Sequence, residues 1–157
     1  MKKELGFYRH FQPMTLRQLL LKKGYKRIKL IRTATNHLEL KATINSTEGT
    51  FILDTGASSS CVGFEAVERF QLLAEDSNVK AAGAGATDML TQLSSKNKIT
   101  IGKWAYKKLS LVLFDMTHVN SALLAHDAEP VNGIIGADVL KKGKAVIDYK
   151  SMCLYLK

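Results

Sequence analysis

The sequence predicts a mainly β domain closed into a barrel, with one or two short helices and a basic helical extension in front of it. Three observations carry this. Short apolar or alternating runs bounded by Gly, Asn, Ser and Asp recur from residue 37 to the end of the chain. Helical periodicity is confined to a few brief stretches. The charge is also unevenly placed: residues 1–32 hold ten Lys/Arg against Glu4 alone, whereas residues 33–157 hold 13 basic and 13 acidic residues. This divides the chain into a basic N-terminal extension, 1–32, and a neutral domain, 33–157.

The elements follow in order. Thr15 and Gln18 have capping-box spacing, and Leu16, Leu19 and Leu20 form an apolar stripe at helical period. Gly24 is a natural stop, with Lys22 and Lys23 in the last turn. From His37 to Ile44 the chain alternates with period two, as a half-buried strand does. Asn45-Ser46-Thr47-Glu48-Gly49 is turn chemistry, and Thr50–Leu53 returns as the second arm of a hairpin. Strands are expected at Ser59–Val62, Val79–Ala82, Met89–Leu93, Ile99–Ile101 and Leu109–Phe114, and a short helix over Phe64–Phe70. Residues 121–125 fit a helical turn. Val131–Gly136 reads as a buried strand ending in glycine, Ala137–Lys142 as a helix, and Ala145–Asp148 and Met152–Leu156 as the last strands.

At 157 residues with 46% hydrophobic content, the chain is long enough to bury a single core. No apolar run approaches the roughly 20 residues a membrane-spanning helix needs. The start, MKKELGFYRHFQP, has positive charge but no apolar stretch and no small-residue cleavage site, so no secretory leader is expected. Cys61 and Cys153 lie in strand-like runs and read as buried free thiols of a reducing compartment, which makes a cytoplasmic location the expectation.

The chemistry concentrates at Asp54-Thr55-Gly56. Thr50-Phe51-Ile52-Leu53 delivers the chain to a carboxylate, and small residues then turn it sharply. About 30 residues later comes a glycine-rich hairpin tip, Gly83–Thr87. A third feature is Asn132-Gly133-Ile134-Ile135-Gly136 with Ala137-Asp138-Val139-Leu140 behind it. In this order the three resemble the retropepsin-like aspartic proteases, single-lobe relatives of pepsin that include the retroviral enzymes, over roughly residues 37–157. Pro130–Gly136 is similar to the viral Ile-Ile-Gly segment, and Val146–Tyr149 to the strand after it in bacterial members.

The resemblance implies a closed acid-protease barrel and an aspartic endopeptidase without cofactor or metal. Water activation of this kind needs two carboxylates sharing a proton. One chain supplies one Asp-Thr-Gly, so the resemblance implies a homodimer with Asp54 from each subunit as the dyad. In the family the Thr hydroxyl, here Thr55, reaches across to the partner loop, and Gly56 allows close approach around the carboxylate. Substrate contacts would fall to Ala57, Ser58 and a closing flap at Gly83, Ala84, Gly85 and Ala86. Ser58 stands where viral enzymes commonly carry an acid.

Asp115, Asp127, Asp138 and Asp148 lack the turn context and read as surface or structural acids, while His10, His37, His118 and His126 show no metal-ligand spacing. Trp104 and Tyr106 read as packing residues. The basic segment suits three roles: a packed amphipathic helix, an anionic-surface contact, or a pro-segment whose lysines neutralise the catalytic carboxylates. It carries no base-reading motif. The competing reading of the whole is a catalytically silent domain that keeps the fold and binds peptides or a protein partner.

Overall fold

The computed structural model describes residues 12–76, 81–83 and 86–157. The elements are helix α1 (Leu16–Lys22), strands β1 (Lys26–Lys29), β2 (Ile31–Arg32), β3 (Leu38–Ile44), β4 (Thr47–Leu53) and β5 (Cys61–Gly63), and a 3₁₀ turn at Phe64–Ala66. They continue with β6 (Glu75–Asp76), β7 (Ala81–Gly83), β8 (Ala86–Met89), β9 (Gln92–Ile101), β10 (Trp104–Phe114) and α2 (Thr117–Leu124). The chain closes with β11 (Gly133–Ile135), α3 (Ala137–Lys142), β12 (Val146–Asp148) and β13 (Cys153–Leu156).

The main sheet runs β2-β3-β4-β11-β5-β10-β9-β6, and β3 also pairs with β9. That last pairing, Thr43 opposite Thr100 and Ile44 opposite Ile99, closes six strands (β3, β4, β11, β5, β10, β9) into a barrel. Closure removes the free edges that an open sheet would leave to pair with other chains. The interior is filled by the inward residues of each strand: Leu40, Ile44, Phe51, Val62, Ile99, Ile101, Leu111, Leu113 and Ile135, with Phe70 stacked on Phe51 at 5.9 Å between ring centroids.

β4 is apolar on both faces because both are covered. Phe51 and Leu53 enter the barrel core, while Ile52 joins an outer cluster with Cys61, Phe114, Met116, Leu123, Ala128 and Val131 beneath α2. Asn120 fixes α2 there: its Nδ2 donates to the Val131 carbonyl at 3.1 Å, and its Oδ1 accepts from the Val131 N–H at 2.9 Å.

The β3–β4 turn is tighter than expected. Only Asn45 and Ser46 form it, both left-handed (φ 45° and 76°), and β4 begins at Thr47. Two left-handed residues match the twist of a hairpin, and Asn is favoured at such positions. Asn45 is also bonded outward, its amide donating to the Phe70 carbonyl at 3.0 Å and to Asn97 Oδ1 at 2.8 Å. Phe64–Phe70 forms only the 3₁₀ turn and further turns, and β9 and β10 are long strands joined at Gly102 (φ 57°), with Trp104 stacked on Tyr106.

α1 has both halves of its capping box: the Gln18 N–H donates to Thr15 Oγ1 at 3.2 Å, and the Thr15 N–H to Gln18 Oε1 at 2.9 Å. Gly24 follows at φ 87°. Of the leucine stripe only Leu20 is buried, against Cys153 and Tyr155; Leu16 and Leu19 are exposed. β1 pairs with β13, and β13 with β12, in a separate three-stranded sheet, and Leu30 is buried in the main core. Residues 26–32, expected within the extension, therefore lie in the sheets of the β-rich fold; residues 1–11 lie outside the described residues. Both cysteines are free and buried, and burial pushes the Cys61 thiol up to about 12.

Glu39 gives a pH prediction. Desolvation holds its carboxyl above the usual carboxylate range, although Lys41 and His37 pull the other way, and its Oε1 is buried without a hydrogen-bond partner among the described residues. A raised carboxyl pKa means the fold disfavours the ionised form. Stability linked to Glu39 is therefore fully present below the unfolded value of about 4.3 and is lost as pH rises through the higher folded value. Glu39→Gln is expected to raise Tm by at most a few degrees at neutral pH and not at about pH 4, as read by thermal melts at both.

Candidate active site

β4 ends at Leu53, and its last core contacts set the position of Asp54. The Asp54 N–H donates to the Ile135 carbonyl at 3.0 Å, so the first residue of the loop is bonded to β11. β11 lies between β4, its parallel neighbour, and β5, its antiparallel one. The loop at 54–60 thus leaves one neighbour of β11 and returns on the other, with β11 bracing both ends.

Within the loop, the Gly56 N–H donates to Asp54 Oδ1 at 2.8 Å, which orients the carboxylate. A Cβ on Gly56 would stand 3.2 Å from that same oxygen, closer than ordinary contact. The Ala57 N–H reaches the Asp54 carbonyl at 3.3 Å, and the Ala57 carbonyl accepts from the Ala137 N–H at 2.8 Å. Gly136 leaves room for this crossing, since a Cβ there would sit 2.7 Å from the Ala57 carbonyl oxygen and 2.8 Å from the Ser59 backbone.

The far end of the loop is held by Ser60 and Asp138. Asp138 Oδ1 accepts from the Ser60 N–H at 2.9 Å, the Ser60 hydroxyl at 2.7 Å and the Val139 N–H at 2.8 Å. Ser60 Oγ in turn accepts from the Gly136 N–H at 2.9 Å. Asp138, expected only as a surface or structural acid, is the structural kind and braces the loop that carries Asp54. Asp138→Ala is expected to cost about 2 kcal/mol, because partly buried donors lose their acceptor. The corresponding fall in Tm is roughly 5 °C, read by calorimetry, with Asp138→Asn intermediate.

Asp54, Thr55, Gly56 and Ser58 are exposed and Ala57 half-buried, so the loop presents its carboxylate outward. The Thr55 hydroxyl bonds to none of the described residues. Gly83 and Ala86 are partners in the antiparallel pair β7–β8; Ala84 and Gly85, the other two residues of the expected flap, lie outside the described residues. A groove of about 710 Å³ opens beside Asp54, lined by Ile52, Val119, Leu123 and Ile134 and by His37, His118 and His126. Among the described residues that line it, Asp54 is the one carboxylate. No group of three or more metal-ligating side chains is present among the described residues.

The sequence placed Asn132 in the third motif but gave it no role of its own. Its Oδ1 accepts from the Thr50 N–H at 3.0 Å, its N–H donates to the Thr50 carbonyl at 2.8 Å, and its carbonyl accepts from the Gly63 N–H at 3.0 Å. It therefore ties together the strands on either side of the Asp54 loop. A polar residue inside an otherwise apolar run, just before Gly133, was the available signal.

A family model described as aspartyl protease matches residues 40–139, nearly two thirds of the chain, with Asp54, β11 and the start of α3 inside the match. The chain belongs to the aspartyl protease family. Its fold is that of the retropepsin-like members. A retropepsin-like aspartic protease from Rickettsia conorii superposes with a TM-score of 0.57 at 18% identity, covering 84% of this chain and 90% of that one. EIAV protease, in complex with the inhibitor HBY-793, gives a TM-score of 0.50 at 21% identity over 66% of this chain and 84% of the viral one. The retroviral protease-like domain of Ddi1 from Leishmania major gives 0.52 at 18% identity, covering 77% and 88%. No curated protein matches by sequence. Among the described residues no helix is long and apolar enough to cross a membrane.

Proposed function

We propose that the protein is an aspartic endopeptidase whose catalytic dyad is formed by Asp54 of two subunits. One observation carries this: Asp54 is exposed at the end of β4, its carboxylate oriented by the Gly56 N–H, on a loop braced by β11 and by Asp138. A rigid loop presenting an oriented carboxylate is what proton-transfer chemistry requires. One carboxylate beside the groove is half of what is needed. A two-fold axis through the loop supplies the other half, and two such groups cannot both ionise cheaply, so they share one proton. The ionised member takes a proton from a bound water, the resulting hydroxide attacks the peptide carbonyl, and the protonated member donates to the carbonyl oxygen. Collapse of the tetrahedral species returns a proton to the leaving amine and regenerates the dyad.

Thr55 suits the dimer because its hydroxyl is exposed and bonds to none of the described residues. The β7–β8 hairpin would lie over an extended peptide, and backbone groups near Gly83 and Ala86 would bond it as an added strand. The exposed single carboxylate also fits a second reading, a monomer that binds peptides without cutting them. Peptide-library cleavage between about pH 4 and 8, run alongside sedimentation of the same samples, separates the two. Cleavage by a dimer supports the proposal; a folded protein that stays monomeric with peptide and cuts nothing overturns it.

A further inference from the structure

We infer that His37, His118 and His126 form a subsite for an acidic side chain of the peptide, giving the groove beside Asp54 a preference for Asp or Glu close to the scissile bond. The inference rests on the proposed reading of Asp54 and names the substrate class of that same site.

The chain has four histidines, and three of them line this one groove. They arrive from three separate segments: His37 ends the turn before β3, His118 lies in the first turn of α2, and His126 lies in the turn after it. All three are exposed, so none is a core histidine satisfied by packing. Nδ1 of His37 is 2.8 Å from the Thr35 hydroxyl, which fixes the ring and leaves Nε2 as its outward polar atom. The His118 and His126 rings make no hydrogen bond to any described residue. The floor between them is apolar, with Ile52, Val119, Leu123 and Ile134. Such a groove accommodates a side chain with an aliphatic stem and an acceptor at its tip, as Glu has.

Charge sets the direction. Facing the imidazoles are Asp54 in the groove, Asp115 beside His118, and Glu39 on the His37 side, itself influenced by Glu129 and Lys41. Asp127 follows His126 in the chain. Asp115 is occupied by the Thr117 N–H at 2.8 Å and by the Thr117 hydroxyl, and Glu39 by its burial, so neither fills the groove. Imidazole N–H groups donate hydrogen bonds to a carboxylate, and a peptide Glu keeps its charge above about pH 4.3, whereas Gln offers only a neutral amide oxygen.

The test uses random octapeptides carrying Glu or Gln at one fixed position, with that position moved along the peptide. The full chain is assayed for cleavage, and Asp54→Asn for equilibrium binding by fluorescence anisotropy. At one position the Glu peptides are expected to exceed the Gln peptides by about fivefold to tenfold near pH 5.5 in cleavage and in binding, the scale of a few partly exposed ion pairs. The ratio falls towards one in the triple variant His37→Gln, His118→Gln, His126→Gln, whose fold is checked by melting. Cleavage with equal Glu and Gln rates at every pH overturns the subsite and leaves the protease reading standing. Glu-selective binding without cleavage supports the subsite and removes the protease reading. A preference that survives the triple variant, or vanishes when a chelator is added, overturns direct recognition by the imidazoles.

Discussion

Asp54→Asn is expected to abolish peptide cleavage while leaving the fold intact. In the proposed dimer the substitution would remove both members of the dyad at once, so neither the base that deprotonates water nor the acid that protonates the carbonyl oxygen would remain. General acid–base catalysis contributes roughly 10² to 10⁴-fold for a positioned group, so a loss on the order of 10⁴ or more is expected. The fold is indifferent because Asp54 is exposed and makes one local bond with its side chain, from the Gly56 N–H at 2.8 Å, which an asparagine oxygen also accepts. Mixing the variant with wild type tests the sharing itself. If each active site needs a carboxylate from both subunits, equal amounts of exchanging subunits retain about one quarter of the wild-type rate. If each subunit works alone, about half remains. Retention of half, or cleavage by the variant at near the wild-type rate, would sink the shared dyad.

How far the sequence led depends on whether a feature is local. The Asp54 turn, the capping box at Thr15–Gln18, helix α3 and the final strands were legible because each rests on neighbours within a few residues. Barrel closure was legible in kind, from many short strands with turns between them. The pairing that achieves it, Ile44 with Ile99, is not encoded by either strand's pattern. Lys26-Arg27-Ile28-Lys29 was expected within the basic helical extension, and only β13, more than a hundred residues away, makes it a strand with Ile28 buried. The groove was illegible too. His37, His118 and His126 are scattered in sequence, and folding brings the loop before β3 against α2. Asp138 looked ordinary because its partner, Ser60, lies 78 residues earlier.

The second large effect is expected at Gly133, where alanine should destabilise the protein and disable the site together. A Cβ on Gly133 would stand 2.1 Å from the Cys61 carbonyl oxygen and 3.0 Å from the Phe51 ring. The first is a backbone atom of the adjacent strand and cannot rotate away. Real Cβ contacts essentially never fall under 3.0 Å, so β11 and β5 must separate. Overpacking of this kind typically costs 1–3 kcal/mol, and a clash with paired backbone belongs at or above about 3 kcal/mol, or roughly 10 °C in Tm. Gly102→Ala is the control. Gly102 has a left-handed φ of 57°, but its Cβ would meet only Ile28 at 3.4 Å, so the cost there is backbone strain of about 1 kcal/mol. The catalytic consequence follows from β11's position. The Ile135 carbonyl accepts from the Asp54 N–H and the Gly136 N–H donates to Ser60, so displacing the strand moves both ends of the loop. Gly133→Ala should therefore lower kcat even at temperatures where it remains folded, whereas Gly102→Ala should not. A Gly133→Ala protein as stable and active as wild type would mean that β11 does not brace the Asp54 loop.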